Sequence, residues 1–170
     1  MPAKTVSLLA KKPQHPSRRA PADVRFDVAN RLFFRLYQAS NLMHRTGTRA
    51  VNGHGATTQQ WAVMGALAHA TIVDGGMSVK ELMSILAVSR QSLTMVLNRM
   101  ARLGLVERVR LETDGRIRRI RLTASGRMAW QEMLVDIRGF YAVAIADFAT
   151  EDAEQLFVLL DRLTAKLSDL

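Results

Sequence analysis

Arg90 and Gln91 stand side by side at the start of a short amphipathic segment, with Ser89, Ser92, Thr94 and Asn98 close behind. A guanidinium pairs with the edge of guanine and a carboxamide with that of adenine, while small hydroxyls suit phosphate oxygens or base edges. Farther along, Arg108, Arg110, Arg116, Arg118, Arg119 and Arg121 crowd into one stretch. Arg116 follows the turn signal Asp114-Gly115, where it can enter a narrow, electronegative minor groove. Asp114 can hold that guanidinium in orientation by a charge-assisted hydrogen bond, in addition to forming the turn. These groups recognise rather than react. The candidate DNA contacts are Ser89, Arg90, Gln91, Ser92, Thr94, Asn98, Arg110, Asp114, Arg116 and Arg118.

Such groups need a scaffold that aims them. Ser78-Val79-Lys80-Glu81 is a capping box, so a helix starts there and runs to about Leu86. Ser89 caps the next, which continues to about Leu103, and Gly104 suits its C-terminal turn. In that helix Leu93, Val96, Leu97, Met100 and Leu103 form the buried face. Arg90, Gln91, Thr94, Asn98 and Arg102 point outward, with Ser92 and Met95 near the edge of the buried face. Residues 105–111 and 117–122 read as the arms of a β-hairpin joined by 112–116. Side chains alternate along a strand, so its arginines cannot all face one way. Two short helices followed by a basic hairpin predict a helix-turn-helix with a wing.

The flanks read as helices. From Asp23 to about Arg49, Phe26, Ala29, Phe33, Leu36, Tyr37, Ser40 and His44 recur at helical steps, until residues 51–55 break the pattern. Asp23 serves as a cap or first-turn acid. Thr58 begins a second helix, 59–70, with Trp61, Met64, Leu67 and Ala68 on one side, and Asp74-Gly75-Gly76 closes that segment. Thr123 caps a long helix to about Phe148, although Gly126 weakens its first turn. Thr150 caps a last helix striped by Leu156, Leu159, Leu160, Leu163 and Leu167. The expected fold is mainly α: six helices and a β-hairpin wing. It divides into a flexible basic arm (1–22), an N-terminal pairing helix and loop (23–57), a DNA-binding head (58–122) and C-terminal pairing helices (123–170). The stripes of the first and last helices are too apolar to leave in water on a small monomer.

Composition narrows the classes further. A chain of 170 residues with net charge +9 and pI near 11 is drawn to polyanions before any specific contact forms. Basic residues and four prolines mark the arm, which can touch phosphates or an anionic ligand, or can be a solvated tail. Cysteine is absent, so thiol catalysis, thiol redox sensing and disulfides are excluded. His15, His44, His54 and His69 show no metal-ligand spacing. No nucleophile motif or phosphate loop is present, so neither an enzyme nor a cofactor is expected. No apolar run is long enough for a membrane span, and the N-terminus lacks the apolar core of a signal peptide, which makes a cytoplasmic location the expectation.

Residues 58–127 resemble the MarR family of bacterial transcriptional regulators. The match rests on Gln60-Trp61-Ala62-Val63 and on the spacing of Leu82 to Val88-Ser89. It continues through Arg102-Leu103-Gly104-Leu105-Val106-Glu107-Arg108, Asp114-Gly115-Arg116 and Leu122-Thr123-Ala124-Ser125-Gly126. Family members often carry a basic residue where Gly115 stands. The resemblance implies a triangular homodimer on a pseudo-palindromic double-stranded operator, paired by its N- and C-terminal helices. It also implies release of DNA when a small anion or aromatic compound binds between pairing helices and head. Tyr37, Asn41, His44, Arg45, Arg49, Trp61 and Met64 come from the two helices flanking that space. An aromatic wall plus arginine suits an aromatic carboxylate or its coenzyme A thioester. Equally, Trp61 and Met64 suit a core and Tyr37 a local partner. The expectation is a repressor of aromatic-compound catabolism released by such an effector. The alternative is a sequence-indifferent architectural DNA-binding protein with no effector.

Overall fold

The computed structural model describes residues 21–69, 75–110 and 118–170. The chain forms two compact units, Met1–Asn41 and Leu42–Leu170. Helix α1 (Pro21–Val51) begins in the first unit and ends in the second. Asp23 in its first turn complements the partial positive charge of the exposed amides there. The α1 residues of the first unit leave Phe26, Phe33 and Phe34 exposed.

The second unit continues through a 3-10 turn (Asn52–His54), α2 (Thr58–Leu67), β1 (Met77–Ser78), α3 (Val79–Leu86) and α4 (Arg90–Arg102). Then come β2 (Val106–Arg110), β3 (Arg118–Leu122), α5 (Ala124–Ala144) and α6 (Thr150–Ser168). The described residues form a mainly α winged helix-turn-helix with six α-helices and an antiparallel sheet ordered β1-β3-β2. The wing pairs Val106 with Leu122 and Arg110 with Arg118.

Hydroxyl caps set most helix starts. Ser78 and Glu81 close a reciprocal capping box, Ser89 accepts from the Ser92 amide, and Thr123 accepts from the Gly126 amide. Helix α2 begins at Thr58 as expected, capped by Thr57 in a box with Gln60. One start differs from expectation. Thr150 is the first helical residue of α6 and caps nothing; Ala149 holds the cap position without a side-chain bond. Helix α2 ends at Leu67 and α5 at Ala144, both short of their expected limits. The expected turn residue Asp74 and the hairpin tip with Asp114, Gly115 and Arg116 lie outside the described residues, as does the arm up to residue 20.

The core gathers Met64 and Leu67 from α2, Leu82 from α3, and Leu93, Leu97 and Met100 from α4. Ile120 and Leu122 from β3 join Met133 and Ile137 from α5. Leu103, expected in the buried face, is 56% exposed. It sits at the C-cap of α4, and Gly104 turns the chain away in the left-handed region at φ 69°. Strand β1 was not expected. Two residues carry too little pattern to announce a strand; pairing of Met77 with Ile120 creates it.

Gly126 has a packing reason. A Cβ there would collide with the backbone carbonyl of Leu105, so the start of α5 lies directly on the chain entering the wing. The Thr123 hydroxyl donates to the Gly104 carbonyl and the Thr123 amide to that of Leu105, closing the same junction.

Candidate nucleic-acid interface

Helix α4 is anchored by Leu93, Leu97 and Met100, each at most 2% exposed. Its other side therefore faces solvent. Gln91, Met95, Asn98 and Arg102 fall on one row at helical spacing, and all four are exposed. Met95 is 63% exposed, so it belongs to the outward row and not to the edge of the buried face. Arg90 is exposed in the first turn. Several hydroxyls are already occupied. Ser89 donates to the Ser92 hydroxyl at 3.0 Å, and Thr94 donates to the Arg90 carbonyl at 2.7 Å. Asn98 Oδ1 accepts from Arg108 at 3.2 Å, which ties α4 to the wing.

The wing arginines divide by their partners. Arg119 donates through Nε and Nη2 to the Gly76 carbonyl at 3.1 and 2.9 Å and pairs with Glu81 at 3.3 Å. Arg121 pairs with Glu107 at 2.7 Å. Arg118 is exposed at the start of β3. Arg110 lies in β2, but its side chain falls outside the described residues with Asp114 and Arg116. The bracing role of Arg119 was not legible, because its partners lie about forty residues away in sequence. Hydrogen bonds from the Ser78 amide and hydroxyl, helped by Arg119, hold the Glu81 carboxyl below the usual carboxylate range.

Behind α4 lies a cavity of about 300 Å³. Met43 and His44 of α1, Thr58, Gln59 and Ala62 of α2, and Ser92, Leu93 and Val96 of α4 line it. Leu86, Ala87 and Val88, the turn of the helix-turn-helix, complete the wall. Ala87 holds a left-handed conformation at φ 50°, unusual for a residue with a Cβ. His44 Nδ1 lies 2.9 Å from the Thr58 hydroxyl.

Of the residues proposed for a ligand, His44 lines this cavity. Arg45 and Arg49 are exposed and do not line it. Met64 is core. Trp61 is buried in an aromatic cluster, edge-on to Phe140 at 5.8 Å and tilted against Tyr141 at 5.5 Å. Burial there raises the Tyr141 hydroxyl above the usual phenol range. Tyr37 and Asn41 are exposed on the α1 portion of the first unit. Among the described residues, no cluster of His, Asp and Glu could hold a metal ion.

Residues 54–117 match the MarR family profile. The chain is 49% identical over 132 residues to the transcriptional activatory protein BadR of Rhodopseudomonas palustris, covering 77% of this chain and 75% of that protein. It is 33% identical over 115 residues to the homoprotocatechuate degradative operon repressor of Escherichia coli, covering 68% and 75%. Among solved structures it is similar to the M. tuberculosis transcriptional regulator MOSR in complex with DNA. That likeness has TM-score 0.65 and 26% identity and covers 81% of this chain and 97% of that one.

Proposed function

The chain belongs to the MarR family of transcriptional regulators, and on that premise we propose that it is a dimeric, sequence-specific repressor whose grip on DNA is released by a small aromatic carboxylate. The observation carrying the release mechanism is the wall of the cavity: the turn that sets α3 against α4 is one side of it. An occupant therefore bears on the angle between those helices. A ligand that fits one angle better than the DNA-bound one shifts the balance by that difference in affinity, and by no more.

The chemistry of the wall supports the ligand class. Met43, Leu86, Val88, Leu93 and Val96 offer apolar surface for a ring, and His44 supplies the one imidazole, beside the Thr58 hydroxyl. Homoprotocatechuate, in the name of one relative, is an aromatic acid of this kind. For a coenzyme A thioester, the aromatic acyl end suits the cavity while the remainder exceeds it.

Pairing is assigned to residues 23–57 and 123–170, DNA contact to 58–122, and accessory phosphate contact to the basic arm 1–22. The support for pairing is that α6 has no buried residue and exposes Leu156, Phe157, Leu159 and Leu160, Phe157 at 70%. With duplex DNA as the proposed partner, the cytoplasm is the location this reading assigns. No helix among the described residues is long and apolar enough to cross a membrane.

The test is a fluorescence anisotropy titration of the protein on DNA from upstream of its own gene, with random DNA as control. A panel of aromatic carboxylates and their coenzyme A thioesters is then added. Release by a panel member, lost in His44→Ala, supports the reading; indifference to every member overturns the effector class. Equal affinity for both DNAs would instead favour an architectural protein. A second reading has the opposite sign, since the 49% identical relative is named an activatory protein. Tightening on ligand addition, with raised transcription from the same promoter, selects that reading.

A further inference from the structure

Resting on the reading of α4 as the DNA-reading helix, we propose that Met95 is a specificity-determining residue that reads the 5-methyl group of thymine. It stands in the middle of the outward row, four residues after Gln91, three before Asn98 and seven before Arg102. At 63% exposure it is an apolar side chain presented on the face opposite Leu93, Leu97 and Met100. Its neighbours along the outward row, Gln91, Asn98 and Arg102, are polar or charged, and two nearby polar groups are already engaged: Thr94 with the Arg90 carbonyl and Asn98 with Arg108.

A helix laid in the major groove brings its outward row against base edges. Thymine shows a methyl group there, the one apolar feature among the four bases. A thioether chain against it removes apolar surface from water on both partners. Methionine is unbranched and adapts its shape, so it can reach one methyl group without demanding a fixed approach. Arg90 and Gln91 supply hydrogen bonds to purines; Met95 supplies the contact that hydrogen bonding cannot make. Cytosine lacks the methyl group, so Met95 favours a thymine over a cytosine at the position it covers.

The experiment selects binding sites from a random duplex library with the full-length wild type, then replaces each thymine of the selected site by deoxyuridine in turn. Uracil keeps the pairing edges and loses only the methyl group. Wild type is expected to lose roughly three- to tenfold in affinity at one symmetry-related position per half-site. Met95→Ala should bind the parent site more weakly by a similar factor and be indifferent to that replacement, while Met95→Leu keeps much of the sensitivity. Unchanged thermal melting of both variants ties the effect to DNA. If wild type shows no methyl-sensitive position, or Met95→Ala keeps the same sensitivity, the assignment is overturned. If wild type selects no site at all, the reading of α4 itself fails. If Arg90→Ala alters site choice while Met95→Ala does not, α4 reads DNA but Met95 does not.

Discussion

Arg108 on β2 donates through Nη2 to Asn98 Oδ1 on α4 at 3.2 Å, so the wing and the reading helix are joined through side chains on their solvent sides. Both residues are exposed. Their bond therefore adds little to stability but fixes which way the Asn98 amide faces.

Coupling between the two should appear in DNA binding. Arg108→Ala and Asn98→Ala are each expected to weaken specific binding, with the double variant less impaired than the sum, by a coupling of about 0.5–3 kcal/mol. Folding free energies should stay within about 0.5 kcal/mol of wild type. Strict additivity in anisotropy titrations would show that the bond does not persist on DNA.

Adjacent wing arginines should behave differently. Arg119→Ala removes two hydrogen bonds to the Gly76 carbonyl and the pair with Glu81, and should cost about 1–3 kcal/mol in urea unfolding. Arg118→Ala should leave stability nearly unchanged but reduce the slope of log affinity against log salt by about one, as expected for one lost phosphate contact. A salt slope unchanged in Arg118→Ala would remove it from the interface.

Two glycines of α5 predict opposite signs. Gly126→Ala places a methyl group into the Leu105 carbonyl, and the overpacking should cost about 1–3 kcal/mol despite the better helix propensity of alanine. At Gly139 nothing lies within 4 Å of the added Cβ, and Gly139→Ala should stabilise by about 0.4–1 kcal/mol. Thermal melts of the two variants moving in the same direction would contradict the packing described here.

Glu81 ties stability to pH. Its folded-state pKa is depressed, chiefly by the Ser78 hydrogen bonds, so its contribution is present above the unfolded carboxylate pKa of about 4.3. That contribution fades as pH falls through the lower folded value. Glu81→Gln keeps a box-competent amide, as Gln60 does in α2, but loses the charge; it should be slightly less stable than wild type near neutrality, and the gap should close in acid. A gap that stays constant from neutral to strongly acidic pH would place the effect outside the carboxylate.

What could be read from sequence was what depends on near neighbours. Ser78, Ser89 and Thr123 bond to amides three residues on, so their caps were visible in the order of residues alone. Thr57 and Thr58 offer the same hydroxyl one position apart, and only the bond to Gln60 decides between them. Strand β1, the bracing by Arg119 and the need for glycine at 126 all depend on chain returning from far away. The candidate reading row was largely legible from helical periodicity. Met95 was misplaced because a methionine beside Val96 looks like the margin of a core, whereas its exposure follows from where Leu93, Leu97 and Met100 point.

Helix α4 carries two interleaved alphabets. Ser92, Leu93 and Val96 border the cavity, while Gln91, Met95, Asn98 and Arg102 form the outward row. Ser92, a candidate DNA contact, also borders the cavity, but the outward row itself shares no position with the wall. Substitutions that retune what enters the cavity can accumulate without rewriting the outward row, and the reverse holds as well. If α4 reads DNA and the cavity takes the effector as proposed, a lineage can exchange most of its chemical signal at Leu93 and Val96 while keeping its genomic address, or move to a new address with its signal intact. On that reading an engineer has two largely separate dials on thirteen residues of helix, with Ser92 the position they share.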